Sequence, residues 1–205
     1  MIEPTQLQSL FLTRETSLCY FLTEAPQGTN LGWAGGNAPA YFDDKANLVH
    51  DAEYQYSFYM AFVNPVNERM LSVFIPDFSV YNQYSIYPDC AIKVIEHAVS
   101  AESALALYML RGPEPTLRKS YLSLGTNEPA FLHIGGEPNL IQNNEDYEVA
   151  LLKDGYQFFG MANEEYYTTD LVRGNYPFCY GAVYFYAKIN QDSITDIRAG
   201  FWQNS

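Results

Sequence analysis

The run from Tyr180 to Ile189 limits the possible folds more than any other stretch of the chain. It reads Tyr-Gly-Ala-Val-Tyr-Phe-Tyr-Ala-Lys-Ile, with Val183, Phe185, Ala187 and Ile189 on one face and Tyr180, Tyr184, Tyr186 and Lys188 on the other. Alternation with a period of two predicts a strand with a buried face, not a helix. Such a strand needs partners, and the chain supplies them. Tyr54 to Val63 and Met70 to Ile75 flank the turn residues Asn64-Pro65-Val66-Asn67-Glu68, which predicts a hairpin. Tyr147 to Leu152 and Tyr156 to Met161 flank Lys153-Asp154-Gly155, which predicts a second. Ser17 to Leu22 and Ala91 to Ala98 read as further strands, and Ile197 to Trp202 as a short edge.

The remainder is less regular. Glu3 to Leu12 fits a short helix with Leu7, Leu10 and Phe11 on one side. Ala25-Pro26-Gln27-Gly28-Thr29-Asn30 is a loop by composition, and Val80 to Pro88 reads as irregular. Beyond Ser100, helix and strand both remain open until Gly112-Pro113-Glu114-Pro115 ends the element. Asn163 to Tyr167 suits a loop or a short helix, and Thr116 to Pro129 a connection between halves. The expected fold is α+β with predominantly antiparallel sheet and one or two short helices; an all-β sandwich is the alternative. The chain reads as one β-rich domain, 1–205, with two similar halves at about 1–115 and 116–205.

Two short segments support the idea of halves. Gly35-Gly36-Asn37-Ala38-Pro39 and Gly135-Gly136-Glu137-Pro138 lie one hundred residues apart, each behind an apolar residue and ahead of a hairpin signal. The segment Ile134-Gly135-Gly136-Glu137-Pro138-Asn139-Leu140-Ile141-Gln142 resembles the "GG-x-P-x-x-I-Q" segment of the YwqG-like family of bacterial proteins of unknown function. Gly35-Gly36-Asn37-Ala38-Pro39 resembles that family's upstream "GG-x-P" segment, with one extra residue before the proline. The chain has Tyr180-Gly181-Ala182-Val183 where the family carries an acidic Gly-Asp-x-Gly segment. The resemblance implies a small α+β protein with extensive sheet and, for some members, a role as immunity proteins in bacterial toxin systems. It carries no catalytic residues.

Charge narrows the partners. Lys and Arg number 11 against 24 Asp and Glu, a net charge of −13 that repels nucleic acid and anionic membrane and favours a basic protein. Three widely spaced cysteines without a CxxC argue against a disulfide framework and a zinc site and for a reducing compartment. With no basic, apolar leader pattern and no long apolar run, the expectation is a soluble cytoplasmic protein.

No motif announces chemistry. GxGxxG, the P-loop, GxSxG and HExxH are all absent, so no catalytic, cofactor-binding or metal-binding residue is assigned and no cofactor is expected. His50, His97 and His133 read as surface or satisfied core histidines. Cys19 and Cys179 read as small hydrophobes, and Asp89 would raise rather than lower the pKa of Cys90. The adjacent carboxylates Asp43-Asp44, Glu145-Asp146 and Glu164-Glu165 suit a solvated surface that meets Lys or Arg on a partner. Tyr166 and Tyr167 would be aromatic anchors beside the last pair. The leading expectation is therefore an acidic immunity protein that occludes a basic toxin. The alternatives are a carbohydrate- or small-ligand-binding domain, using a cluster such as Trp33-Tyr41-Phe42, and an enzyme with a dispersed site around His50.

Overall fold

The computed structural model describes residues 4–24, 31–110, 115–117, 120–125, 129–142, 146–167, 172–174, 176–190 and 193–205. The loop expected at 25–30, the breaker at 112–114 and the candidate Glu145 lie outside the described residues.

A helical turn, α1 (Pro4–Leu7), continues as a wider turn over Gln8–Leu12 and leads into β1 (Ser17–Thr23). β2 (Gly32–Ala34) and α2 (Ala46–Val49) precede a meander of β3 (Ser57–Val63), β4 (Met70–Ile75), α3 (Phe78–Gln83) and β5 (Lys93–His97). After β6 (Pro115–Leu117) come β7 (Ser120–Gly125) and β8 (Leu132–Gly135), then α4 (Asp146–Lys153) and β9 (Gln157–Asn163). β10 (Val172–Gly174), β11 (Ala182–Ile189) and β12 (Ile194–Gln203) complete the chain. Ten strands form one sheet in the order β12-β11-β9-β8-β1-β7-β2-β3-β4-β5, and every pairing in it is antiparallel. The sheet curls until it is nearly closed. Between its two ends, Tyr87 N donates to Gly200 O at 2.7 Å and Trp202 N to Ser85 O at 3.2 Å.

The strand order is symmetric about the β1–β7 pair. The five strands β1 to β5 and the five strands β7, β8, β9, β11 and β12 run the same course, each set lending its first strand to the other's second. Registers agree as well. Gly32, Trp33 and Ala34 oppose Phe62, Ala61 and Met60; one hundred residues on, Leu132, His133 and Ile134 oppose Ala162, Met161 and Gly160. Val63 N donates to Leu31 O, and Asn163 N to Phe131 O, both at 2.8 Å. Gly35, Gly36, Gly135 and Gly136 all have positive φ. At Gly135 and Gly136 the reason is contact: Gly136 N bonds Leu10 O at 2.8 Å, and a Cβ on Gly135 would meet Leu10 at 2.8 Å.

The interior of the sheet is apolar and takes alternate residues from strand after strand: Tyr20 and Leu22, Leu71 and Val73, Leu132 and Ile134, Val183, Phe185 and Ala187. Phe11 stacks on Phe159, 5.5 Å between ring centroids, so the N-terminal turn packs on this interior. Two caps cover parts of the outer surface. Phe42, Val49 and Tyr108 bury Trp33, Phe58 and Phe74; Leu151 of α4, with Tyr147, Leu140 and Ile141, covers Tyr184, Tyr186 and Phe201.

The coarse expectation of a mostly antiparallel sheet with few helices holds, but several elements differ. β11 is buried on both faces, because Tyr184 and Tyr186 lie beneath the second cap. The expected hairpin at Lys153-Asp154-Gly155 is a helix end instead. Tyr147 and Leu151 are one helical turn apart and share the cap, and Gly155, φ 79, terminates α4. Val80 to Pro88 begins inside a helix, α3, that starts where Val80 N and Tyr81 N bond Asp77 O. The expected connection at Thr116 to Pro129 contains β7, a central strand, and the expected short edge is β12, the longest of the described strands.

Candidate functional site

The expected partner-binding residues do not gather on one surface. Asp43 and Asp44 are exposed on the first cap, where Asp43 Oδ1 accepts from Ser103 Oγ at 2.6 Å and Lys45 Nζ holds Asp44 at 2.5 Å. That hydrogen bond lowers the Asp44 pKa. Asp146 is exposed at the start of α4 on the other cap. Glu165 is exposed and Tyr166 half-buried on the turn after β9. Glu164 and Tyr167 are not surface residues at all. Glu164 is fully buried and Tyr167 nearly so, because the tight helical turn after β9 points them inward between the sheet and the Phe178 turn. Glu164 Oε2 accepts from Phe178 N at 2.8 Å and Oε1 from the Tyr59 hydroxyl at 3.4 Å, while Tyr167 donates to the Tyr59 oxygen at 2.9 Å. A proposed surface anchor is thus a core network.

The expected sugar-stacking cluster is overturned in the same way. Trp33 and Phe42 are fully buried in the first cap, and Tyr41 lies against His97 with ring centroids 4.6 Å apart. His97 is a satisfied core residue: its Nδ1 donates to Ala98 O and its Nε2 accepts from Ser72 Oγ, both at 2.8 Å, and burial lowers its pKa. Burial, not Asp89, pushes the Cys90 thiol up to about 12. Cys179 is exposed on a turn at φ 54, so it is not a core hydrophobe.

A cleft of about 590 Å³ opens at the edge of the first cap. Its walls come from three segments: His50 to Ser57 leading into β3, Asp77 and Val80 at the start of α3, and Ala106 to Met109. The first wall is shaped by Asp51, whose Oδ1 accepts from Glu53 N at 3.0 Å and Tyr54 N at 2.7 Å. Those backbone bonds, led by Tyr54, lower the Asp51 pKa. Tyr56 N donates to His50 Nδ1 at 3.0 Å, which leaves the neutral ring's proton on Nε2. Lys93 of β5 reaches under this wall, 2.9 Å from Val49 O, 3.3 Å from Asp51 Oδ2 and 3.9 Å above the Tyr56 ring. The third wall is fixed by Phe58 N donating to Tyr108 O at 2.6 Å.

What opens into the cleft is acidic and aromatic. Glu53 and Asp77 are exposed, and among the described residues no cation pairs with either. Tyr54 supplies a ring face and a hydroxyl, and burial first, then the neighbouring Tyr84 and Glu53, raises its pKa, so it stays a neutral donor. Tyr56 and Tyr108 are buried in the walls, the Tyr56 ring beneath Lys93 and the Tyr108 hydroxyl donating to Phe42 O at 3.3 Å. Two carboxylates beside an aromatic face bind a cation by charge and by the ring quadrupole. Leu107 stands half exposed in the third wall and offers an apolar contact next to that charge. Sequence reading passed over this site because its carboxylates are separated in the chain and come together only through β3, β4 and α3. Among the described residues, no three His, Cys, Asp or Glu side chains gather as metal ligands, and no helix is long and apolar enough to cross a membrane. Compared with protein-family models, curated proteins and solved structures, the chain matches none.

Proposed function

We propose that this chain is an acidic protein-binding module that takes a basic partner, and that it serves as an immunity protein neutralising a basic bacterial toxin. The observation that carries the reading is the cleft formed by Glu53, Asp77, Tyr54 and Tyr108, which is wide enough for a lysine or arginine side chain. The net charge of −13 gives long-range steering toward such a partner, and the cleft gives it a place to dock. The resemblance to the YwqG-like segments supplies the toxin context. On this reading the protein acts by occlusion, with no turnover: a basic side chain of the toxin enters the cleft while Leu107 and the neighbouring cap exclude water around it.

The test is a pull-down of the tagged chain from lysate of its own source at low and at high salt, with the variant Glu53→Lys/Asp77→Lys in parallel and mass spectrometry of what elutes. The reading expects one basic protein, held by the native chain at low salt, weakened at high salt and lost by the variant. A partner retained equally by the variant would overturn the cleft, and an acidic partner or none would overturn the function.

A further inference from the structure

A thiol and an imidazole meet on the outer face of the sheet. Tyr20 and Leu22 of β1 point into the interior, so Cys19 and Ser17 point out; on β8, Leu132 and Ile134 point in and His133 points out. Cys19 and His133 are direct partners in the β1–β8 register. Cys19 Sγ lies 3.8 Å from His133 Nδ1 and 3.6 Å from Ser17 Oγ. His133 Nε2 lies 2.9 Å from Ala130 O. A carbonyl can only accept, so Nε2 carries the proton and Nδ1 presents its lone pair to the thiol. This is the arrangement an activated cysteine requires: nucleophile, base, and a third group that orients the base.

The pair adjoins an opening. A second cleft, of about 310 Å³, is lined by Ser17, His133, Gly135, Asn139, Met161 and Tyr166, among others; Cys19 does not line it but is buried against the Ser17 and His133 side chains. The symmetry of the fold shows that neither the pair nor the opening is needed to build the sheet. At the equivalent position in the other half Trp33 pairs with Tyr121 across β2 and β7, and there Trp33 is fully buried beneath the first cap.

We propose that Cys19 and His133 form a nucleophilic centre that accepts an acyl group from a small ester or thioester bound in this cleft. In the step, the Cys19 S–H proton passes to His133 Nδ1 and a sulfur electron pair bonds to the carbonyl carbon. The bond from that carbon to the alkoxide or thiolate leaving group then breaks, leaving a thioester on Cys19 and an imidazolium that returns its proton to solvent. Ser17 Oγ donates to the sulfur as negative charge develops on it.

The experiment treats the folded full-length chain with para-nitrophenyl acetate across pH, follows nitrophenolate release, and locates the acetyl group by peptide mass spectrometry. The expected result is acetylation of Cys19 ahead of the exposed Cys179. His133→Gln should slow it about a hundredfold, the scale of general-base assistance, with the thermal melt unchanged. Cys19→Ser should remove the fast phase. Acetyl found on Cys179 or lysines while Cys19 stays free would overturn the proposal. So would a Cys19 rate that only rises with hydroxide and shows no titration of an imidazole, a result the native protein gives even if the His133 variant fails to fold.

Discussion

Tyr59 and Glu164 meet inside the sheet, phenol donating to carboxyl oxygen at 3.4 Å, across 105 residues of sequence. Glu164 is fully buried, and burial pushes its carboxyl up to about 8, opposed by hydrogen bonds from Phe178 N and Tyr59. The group is therefore protonated in the folded protein at neutral pH.

A defined pH dependence follows. Between the unfolded carboxyl value of about 4.3 and the folded value of about 8, the folded state holds a proton that the unfolded state has lost. Stability from this group is thus full below that window, falls as pH rises through it, and levels off above pH 8. The total loss is on the order of 5 kcal/mol. Glu164→Gln keeps the shape and cannot ionise, so its urea midpoints should lack this fall. The native-minus-variant difference at pH 5, 7 and 9 isolates it from the many exposed carboxylates, and a difference that stays flat across that range would show that Glu164 is ionised in the fold.

Two glycines should fail for different reasons. Gly160 sits in β9 between Ile134 and Phe185, and a Cβ there would lie 2.3 Å from His133 O, a backbone atom of the neighbouring strand. Gly160→Ala should cost about 3 kcal/mol, in the range of disruptive core changes. Gly155 ends α4 at φ 79 with open space around it, the nearest atom being the far end of Lys188 at 3.7 Å. Gly155→Ala should cost only the left-handed backbone penalty, about 1 kcal/mol. Thermal melts of the two variants compare them, and equal shifts would contradict the packing assigned to Gly160.

Patterns with local causes were legible in the sequence. β3, β4 and β11 follow from alternation, and the paired glycines at 35–36 and 135–136 mark equivalent places in a symmetric sheet. What misled was chemistry that reads alike in two settings. Tyr147 to Leu152 alternates well enough for a strand, but Tyr147 and Leu151 also share a helical face, and the cap they complete decides between the two. Glu164-Glu165 reads as a solvated pair, yet a turn of three residues sends one side chain into the core and leaves the other in water. The Cys19–His133 pair spans 114 residues, and the cleft at Glu53 and Asp77 needs three separate segments. Neither leaves a local signal.

Lys93 holds the wall of the larger cleft through Val49 O, Asp51 and the Tyr56 ring. Its side chain is half-buried, so Lys93→Met should cost only about 1 kcal/mol after solvent screening. The sharper effect is local. Hydrogen exchange at Glu53, Tyr54 and Tyr56, whose amides bond Asp51 and His50, should accelerate while β3 and β4 stay protected. Unchanged exchange at those three amides would mean that Asp51 shapes the wall without the lysine.

The cleft also makes a kinetic prediction that separates it from general acidity. Glu53→Lys/Asp77→Lys and Asp146→Lys/Glu165→Lys change net charge by the same amount, and all four residues are exposed. If the whole field alone attracted a basic partner, both variants would slow association equally and both effects would vanish in high salt. Docking at the cleft predicts asymmetry. Each variant should lower the on-rate at low salt by roughly tenfold or less. Only the Glu53/Asp77 variant should also speed dissociation, because a cation seated between two carboxylates and a tyrosine face loses its partners there. Surface plasmon resonance at two salt concentrations, with the partner recovered by pull-down, reads both rates. Equal off-rates for the two variants would move the docking site away from the cleft, whatever the on-rates showed.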